Sequence, residues 1–349
     1  MLRQVVFIVM LGFAFGIPVS TQAPSPKLQA PKPPSPQVPK PAEIPFTRLR
    51  ADAVIPITLD TGAVEGLDSV WIPNRAAGSI ARVDAKDNKA GPPIVVGTQA
   101  CASLVVAFDS VWVPMCGDQT IVRVDAKTPT VTATLKTNVA AADGRMAAGV
   151  GSVWAITDRK GVLSRIDPDT NAPVAEIYVA GGANTVVFGD DALWVTSDDE
   201  KSGSSSSLRT GRLTRVNPHN NEIVETVEVG PKPGRLAVGE GGVWTLNRGN
   251  GGQGSTVTRV DPATNKVVAT IAIGDGVAEG EIAAGLGSVW ISAPGVPVIR
   301  IDPRTNKAVQ RFTGPGGGAV LVAHGSLWVA AGPNETWRID PLLVAAIRP

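Results

Sequence analysis

Arg235-Leu-Ala-Val-Gly-Glu-Gly-Gly-Val-Trp244, a variable loop, Thr256-Val-Thr-Arg259-Val-Asp261-Pro262, then Asn265-Lys-Val-Val-Ala-Thr-Ile-Ala-Ile-Gly274: the same phrase is found seven times along the chain. Its tryptophan recurs at Trp71, Trp112, Trp154, Trp194, Trp244, Trp290 and Trp328, at intervals of 41, 42, 40, 50, 46 and 38 residues. The Arg-x-Asp step recurs with it at Arg82, Arg123, Arg165, Arg259, Arg300 and Arg338, with Arg215-Val-Asn217 as the variant. A period near 42 in seven copies predicts an all-β, seven-bladed β-propeller. Each copy divides into four short strands, a to d. In the second copy they are expected over Leu104–Phe108, Val111–Pro114, Thr120–Val124 and Val131–Leu135. Strands a and b are almost continuously apolar, as strands covered on both faces should be. Strand d alternates, as a half-solvated outer strand should. Segments such as Asp167–Asn171 carry turn chemistry between c and d.

The seventh copy stops after Trp337-Arg-Ile-Asp340-Pro341 and has no strand d, while Ala53–Leu59 is a strand with no blade of its own. Pairing the two closes the ring of four-stranded antiparallel blades and covers both edges.

Composition agrees. Of 349 residues, 38 are glycine and 29 proline, 43% are hydrophobic and only 18% charged. That is too apolar for a disordered chain and too rich in turn formers for a helical bundle. Residues 51–349 hold 26 basic and 30 acidic side chains. A net −4 argues against a phosphate-gripping surface, so no nucleic-acid partner is expected. Residues 1–23 read as an export signal, with Arg3 ahead of an apolar run Val5–Phe15. That run is too short to span a bilayer as a helix, so no membrane span remains after its removal. Residues 24–50, with Lys27, Lys32, Lys40 and nine prolines by residue 45, read as an extended spacer. The propeller is assigned to 51–349, and the exported, periplasmic or extracellular, chain is expected to be a monomer.

The Gly-x-Gly-Ser-Val-Trp and Arg-Ile-Asp-Pro-x-Thr-Asn-Lys phrases resemble those of exported propellers related to virginiamycin B lyase and the YVTN-repeat proteins, over about residues 53–349. The resemblance implies the fold. For activity it implies histidines and a glutamate at the central mouth, including a Glu-x-His phrase in a d–a loop. No d–a loop here contains histidine: His219 lies in a c–d turn and His324 beside an a–b turn, on the other face. No metal-ligand spacing, phosphate loop, serine elbow or cofactor motif is present.

Residues shared by all copies serve every blade, so function is sought where the repeat breaks. Antiparallel connectivity puts the d–a and b–c loops on one face. Nine residues before each tryptophan stand Gly62, Ser103, Arg145, Thr185, Arg235, Glu281 and Ala319, near the mouth of the central channel. Arg145, Arg235 and Glu281 should converge there. Four after the tryptophan stand Arg75, Asp158, Asp198 and Arg248 on the b–c side. These seven form the candidate site for a small anionic or zwitterionic ligand, or for a protein partner. The alternative is a lyase or lactone-cleaving enzyme, with Glu281 as base and Arg145 and Arg235 holding the leaving oxygen. Because the positions open onto a channel, replacing either arginine should change stability little. The long b–c loops Ser197–Arg212 and Asn247–Ser255 could form a flap over the mouth. Cys101 and Cys116 stand near-opposite across one a–b hairpin and are expected to form a disulfide.

Overall fold

Every blade begins at the axis and is built outward by hairpins, so each residue's copy number and strand letter give its place. The structure, a computed structural model, describes residues 41–140, 145–158, 160–198, 210–249 and 254–348. The expected export signal and most of the spacer and flap loops lie outside these residues. Seven antiparallel sheets form the ring. Blade 5 is typical, with strands Pro233–Gly239, Gly242–Asn247, Ser255–Asp261 and Lys266–Gly274. Among the described residues, no helix is long and apolar enough to cross a membrane.

The repeated residues join neighbouring blades. All seven tryptophans have no exposed surface. Each indole N–H donates to the carbonyl five residues earlier, at 2.9–3.2 Å, which ties strand b to the end of strand a. In five blades that carbonyl belongs to glycine, in the other two to Ala107 and Ala323, and the small residue leaves room for the next blade: a Cβ on Gly149 would stand 2.4 Å from the Phe188 ring. Six of the seven repeat arginines lie over the tryptophan of their own blade, Cζ 4.8–5.5 Å from the ring centroid. They then reach the c–d turn of the next blade. Arg215 Nη1 donates to the Pro262 carbonyl at 2.8 Å and to Asn265 Oδ1 at 3.0 Å, and Arg259 treats Pro303 and Asn306 likewise. The turn asparagines have φ near +55° (Asn265 +56°, Asn306 +54°), a conformation asparagine tolerates well.

Closure follows the expected strand exchange, although the strand covers only the first three residues of the expected Ala53–Leu59. Ala53–Ile55 pairs antiparallel with Glu335–Ile339 as strand d of blade 7, in register Ala53 with Arg338 and Ile55 with Thr336. A second clasp was not expected. Residues 43–49, placed by composition in the spacer, belong to the folded ring. Glu43–Pro45 adds a parallel fifth strand to the outer edge of blade 6, where Ile44, Phe46 and Leu49 are buried and Phe46 stacks on Trp337 with ring centroids 4.7 Å apart. Blade 7 has no Thr-Asn turn for Arg300 to grip. Instead Arg300 Nε donates to Gln310 Oε1 at 2.5 Å, and Gln310 Nε2 donates to the carbonyls of Val344 and Ile347 behind the C-terminal helix Pro341–Ala346.

Strand a is only three residues long in blades 1 and 2 (Val64–Gly66, Val105–Ala107) but seven in blades 4 and 5. The cause is in strand b. Pro73 and Pro114 stand two residues after their tryptophans, where they have no N–H to give strand a. In blade 2 the broken ladder is spanned by Cys101–Cys116, with Cα atoms 5.1 Å apart. The expected disulfide is therefore present.

The c–d turns carry a pH dependence. Thr128 and Lys127 N–H donate to Asp125 Oδ1 at 2.7 and 2.9 Å, and Lys86 N–H donates to Asp84 Oδ1 at 2.8 Å. These backbone hydrogen bonds hold the carboxyls of Asp84 (from Lys86), Asp125 (from Thr128) and Asp261 (from Ala263) below the ordinary aspartate value. A depressed folded pKa gives stability that is complete above the unfolded value, about 3.9, and is lost as pH falls through the folded value. The Asp84→Ser, Asp125→Ser and Asp261→Ser triple variant keeps a turn acceptor without the titration. Urea midpoints between pH 6 and 2.5 should fall less steeply below pH 4 in the variant; identical profiles would rule these turns out.

Candidate functional site

Position nine before each tryptophan lies at the inner edge of the ring, and there the three charged copies meet. Arg145 directly precedes Met146–Gly149 of blade 3, Arg235 lies in strand a of blade 5, and Glu281 opens Glu281–Gly285 of blade 6. Arg145 Nη2 donates to Glu281 Oε2 at 2.8 Å, across 136 residues of sequence. Arg235 Nε approaches the same oxygen at 3.3 Å, and its Nη1 donates to the Gly234 carbonyl at 3.1 Å. The side chains of both arginines are 12% exposed and that of Glu281 10%. This corrects the expectation that the positions could be changed at little cost. The three groups are nearly buried, so each depends on the others for its compensation.

The triad stands between two spaces. On the mouth side is a basin of about 530 Å³ bordered by Arg75, Arg235, Arg248, Asp60 and Glu279. On the channel side is a chamber of about 640 Å³, with Arg145, Glu281, Ser103 and Thr185 at one end and half-buried aliphatic side chains such as Val64 and Leu321 along its walls. The basin's charges are loosely paired: Arg75 Nε stands 3.8 Å from Asp60 Oδ2 and Arg248 Nη1 3.4 Å from Glu279 Oε1. These are partly solvated pairs, which a charged ligand can compete with at small cost.

The remaining candidates divide. Asp198 borders a smaller cavity of about 170 Å³ with Arg235 and Arg248. Its Oδ1 is buried without a hydrogen-bond partner among the described residues. Asp158 is used locally, Oδ1 accepting from the Lys160 N–H at 2.7 Å to shape the b–c turn, and it borders none of these spaces. Asp60 and Glu279 escaped the sequence reading. Both stand eleven residues before their tryptophans, one strand-a alternation upstream of the position that was compared, so the same column-by-column comparison finds them.

The histidines are on the other face. His219 Nε2 lies 3.2 Å from Asp191 Oδ1 in an a–b turn, and His324 Nε2 lies 3.2 Å from the Ser69 carbonyl. Among the described residues no group of three His, Cys, Asp or Glu side chains could hold a metal ion.

No protein-family profile matches the chain, and no curated protein matches it in sequence. Solved structures do match in fold. Virginiamycin B lyase from Staphylococcus aureus superposes with a TM-score of 0.64 at 16% identity, covering 81% of this chain and 95% of its own. Hydrazine synthase from Kuenenia stuttgartiensis gives 0.65 at 15%, covering 86% and 100%. BamB from Moraxella catarrhalis gives 0.61 at 13%, covering 83% and 100%. By fold, then, this chain is a seven-bladed β-propeller, similar in architecture to the structures of virginiamycin B lyase and BamB.

Proposed function

We propose that this is an exported propeller that binds a small anionic or zwitterionic ligand in the mouth basin and performs no chemistry on it. The observation that carries the reading is the set of three guanidinium groups, Arg75, Arg235 and Arg248, around one basin of about 530 Å³. Guanidinium forks suit carboxylate or phosphate, and Asp60 and Glu279 stand where a ligand's ammonium end would fall. The Cys101–Cys116 disulfide is in keeping with an oxidising compartment. A lyase or lactone-cleaving reading needs Glu281 as a base within reach of substrate. Its Oε2 is instead held by two arginines, and its Oε1 lies 3.3 Å from its own neighbour's N–H, that of Ile282.

The test is a thermal-shift screen of small carboxylates, phosphates and amino acids, with calorimetric titration of the best hit. Arg248→Ala should weaken binding by about 1.5–3 kcal/mol for a lost charge-assisted hydrogen bond, roughly ten- to a hundredfold. Its melting temperature should hold, because the Arg248–Glu279 pair is solvated. Unchanged affinity in both Arg248→Ala and Arg75→Ala would move the site elsewhere.

A further inference from the structure

The two ends of the described chain meet outside blades 6 and 7. Residues 46–50 run between the Glu43–Pro45 strand of one blade and the Ala53–Ile55 strand of the other. The C-terminal helix Pro341–Ala346 lies beside them, and Arg48 Nη1 donates to the Arg348 carbonyl at 3.0 Å. Between them is a groove of about 490 Å³ lined by Arg48, Leu49, Arg50, Leu343, Ala346, Ile347 and Arg348. Three linings are arginine and four are apolar. No carboxylate and no neutral polar side chain is among them.

The helix is unusual in what it shows to solvent. It reads Pro341-Leu-Leu-Val-Ala-Ala, and of its residues only Val344 is buried. Leu342 is 74% exposed and Leu343 45%. Among the described residues none of Arg48, Arg50 and Arg348 is in an ion pair with a carboxylate. Protein interfaces mix neutral polar groups and both charges at their rims. A surface of arginine and aliphatic groups alone is complementary to an anionic amphiphile.

We propose that this corner is a membrane-contact surface that seats the propeller on a bilayer containing anionic lipid. The three guanidinium groups would meet headgroup phosphates, which Arg grips in two hydrogen bonds, while Leu342 and Leu343 enter the interface. The surface is separate from the mouth basin, so the proposal stands or falls independently of the ligand reading.

A local probe tests it in the full chain. Both native cysteines are in the disulfide, so Leu342→Cys provides one thiol for an environment-sensitive fluorophore such as NBD. Emission should rise and shift to the blue on vesicles of phosphatidylcholine with 30% phosphatidylglycerol, and stay unchanged on phosphatidylcholine alone. The same label at Lys160→Cys, on the mouth face, should report water in both. Adding Arg48→Glu and Arg50→Glu should lower the vesicle partition read at position 342 by roughly tenfold or more, with circular dichroism unchanged. A label at 342 that stays in water on the anionic vesicles overturns the proposal and leaves the groove to a protein partner. So does an equal response at 160, or a response that survives the charge reversals.

Discussion

Replacing Glu281 by leucine is expected to lower the free energy of unfolding by about 3–5 kcal/mol, the usual cost of removing one partner from a buried ion pair. Glu281 Oε2 is approached by Arg145 at 2.8 Å and Arg235 at 3.3 Å, and both guanidinium side chains are 12% exposed. Without the carboxylate, two cations face each other at the axis with little water to screen them. Arg145→Met should cost less, because Glu281 keeps Arg235. Changing all three together, with Arg145→Met, Arg235→Met and Glu281→Leu, should recover most of the loss, since the buried charges leave as a group. Urea denaturation followed by tryptophan fluorescence measures this. A midpoint in Glu281→Leu equal to that of the parent would show that water reaches the triad freely.

The second large effect concerns the disulfide. Cys101 and Cys116 close a loop of 15 residues, for which the chain-entropy account gives about 3 kcal/mol. The bond also spans a stretch that its own backbone cannot zip. Strand a of blade 2 begins only at Val105, and beyond it the hairpin is carried by the isolated Ala100–Met115 bridge and by two spaced backbone bonds, Cys101 N–H to the Pro114 carbonyl at 2.8 Å and Gly117 N–H to the Gln99 carbonyl at 3.2 Å. The Cys101→Ala and Cys116→Ala double variant should therefore lose about 3 kcal/mol, and hydrogen exchange should quicken first at residues 99–104. A full-strength variant with unchanged exchange would mean that packing against the neighbouring strands, and not the bond, holds the hairpin. Reducing agent should affect the parent and leave the variant unmoved.

The blade count, the four strands of each blade and the exchange of Ala53–Ile55 into blade 7 are all legible in the sequence. Each depends on interactions that repeat locally: a tryptophan buried at a fixed step, an arginine that meets the next copy's turn, and a strand left over at one end and missing at the other. Antiparallel hairpins also assign a face to every loop, so the separation of His219 and His324 from Arg145, Arg235 and Glu281 could be read before any coordinates. The disulfide followed from counting residues around one turn.

Burial at the axis is a different kind of fact. The sequence brings Arg145, Arg235 and Glu281 to one rim by register, but how far seven strand edges close around them depends on the radius of the finished ring. Only the folded ring turns an open charged mouth into a nearly buried triad with a basin on one side and a chamber on the other. Asp60 and Glu279 could be found by comparing the copies, but that they border one basin with Arg75, Arg235 and Arg248 is decided by the closed ring. The clasp at Glu43–Pro45 was hidden for another reason. Proline-rich sequence reads as a spacer, yet an outermost strand leaves one edge unpaired and so tolerates a residue with no N–H. Whether such a segment lies free or pairs is decided by the edge of blade 6, which exists only once the blade has formed.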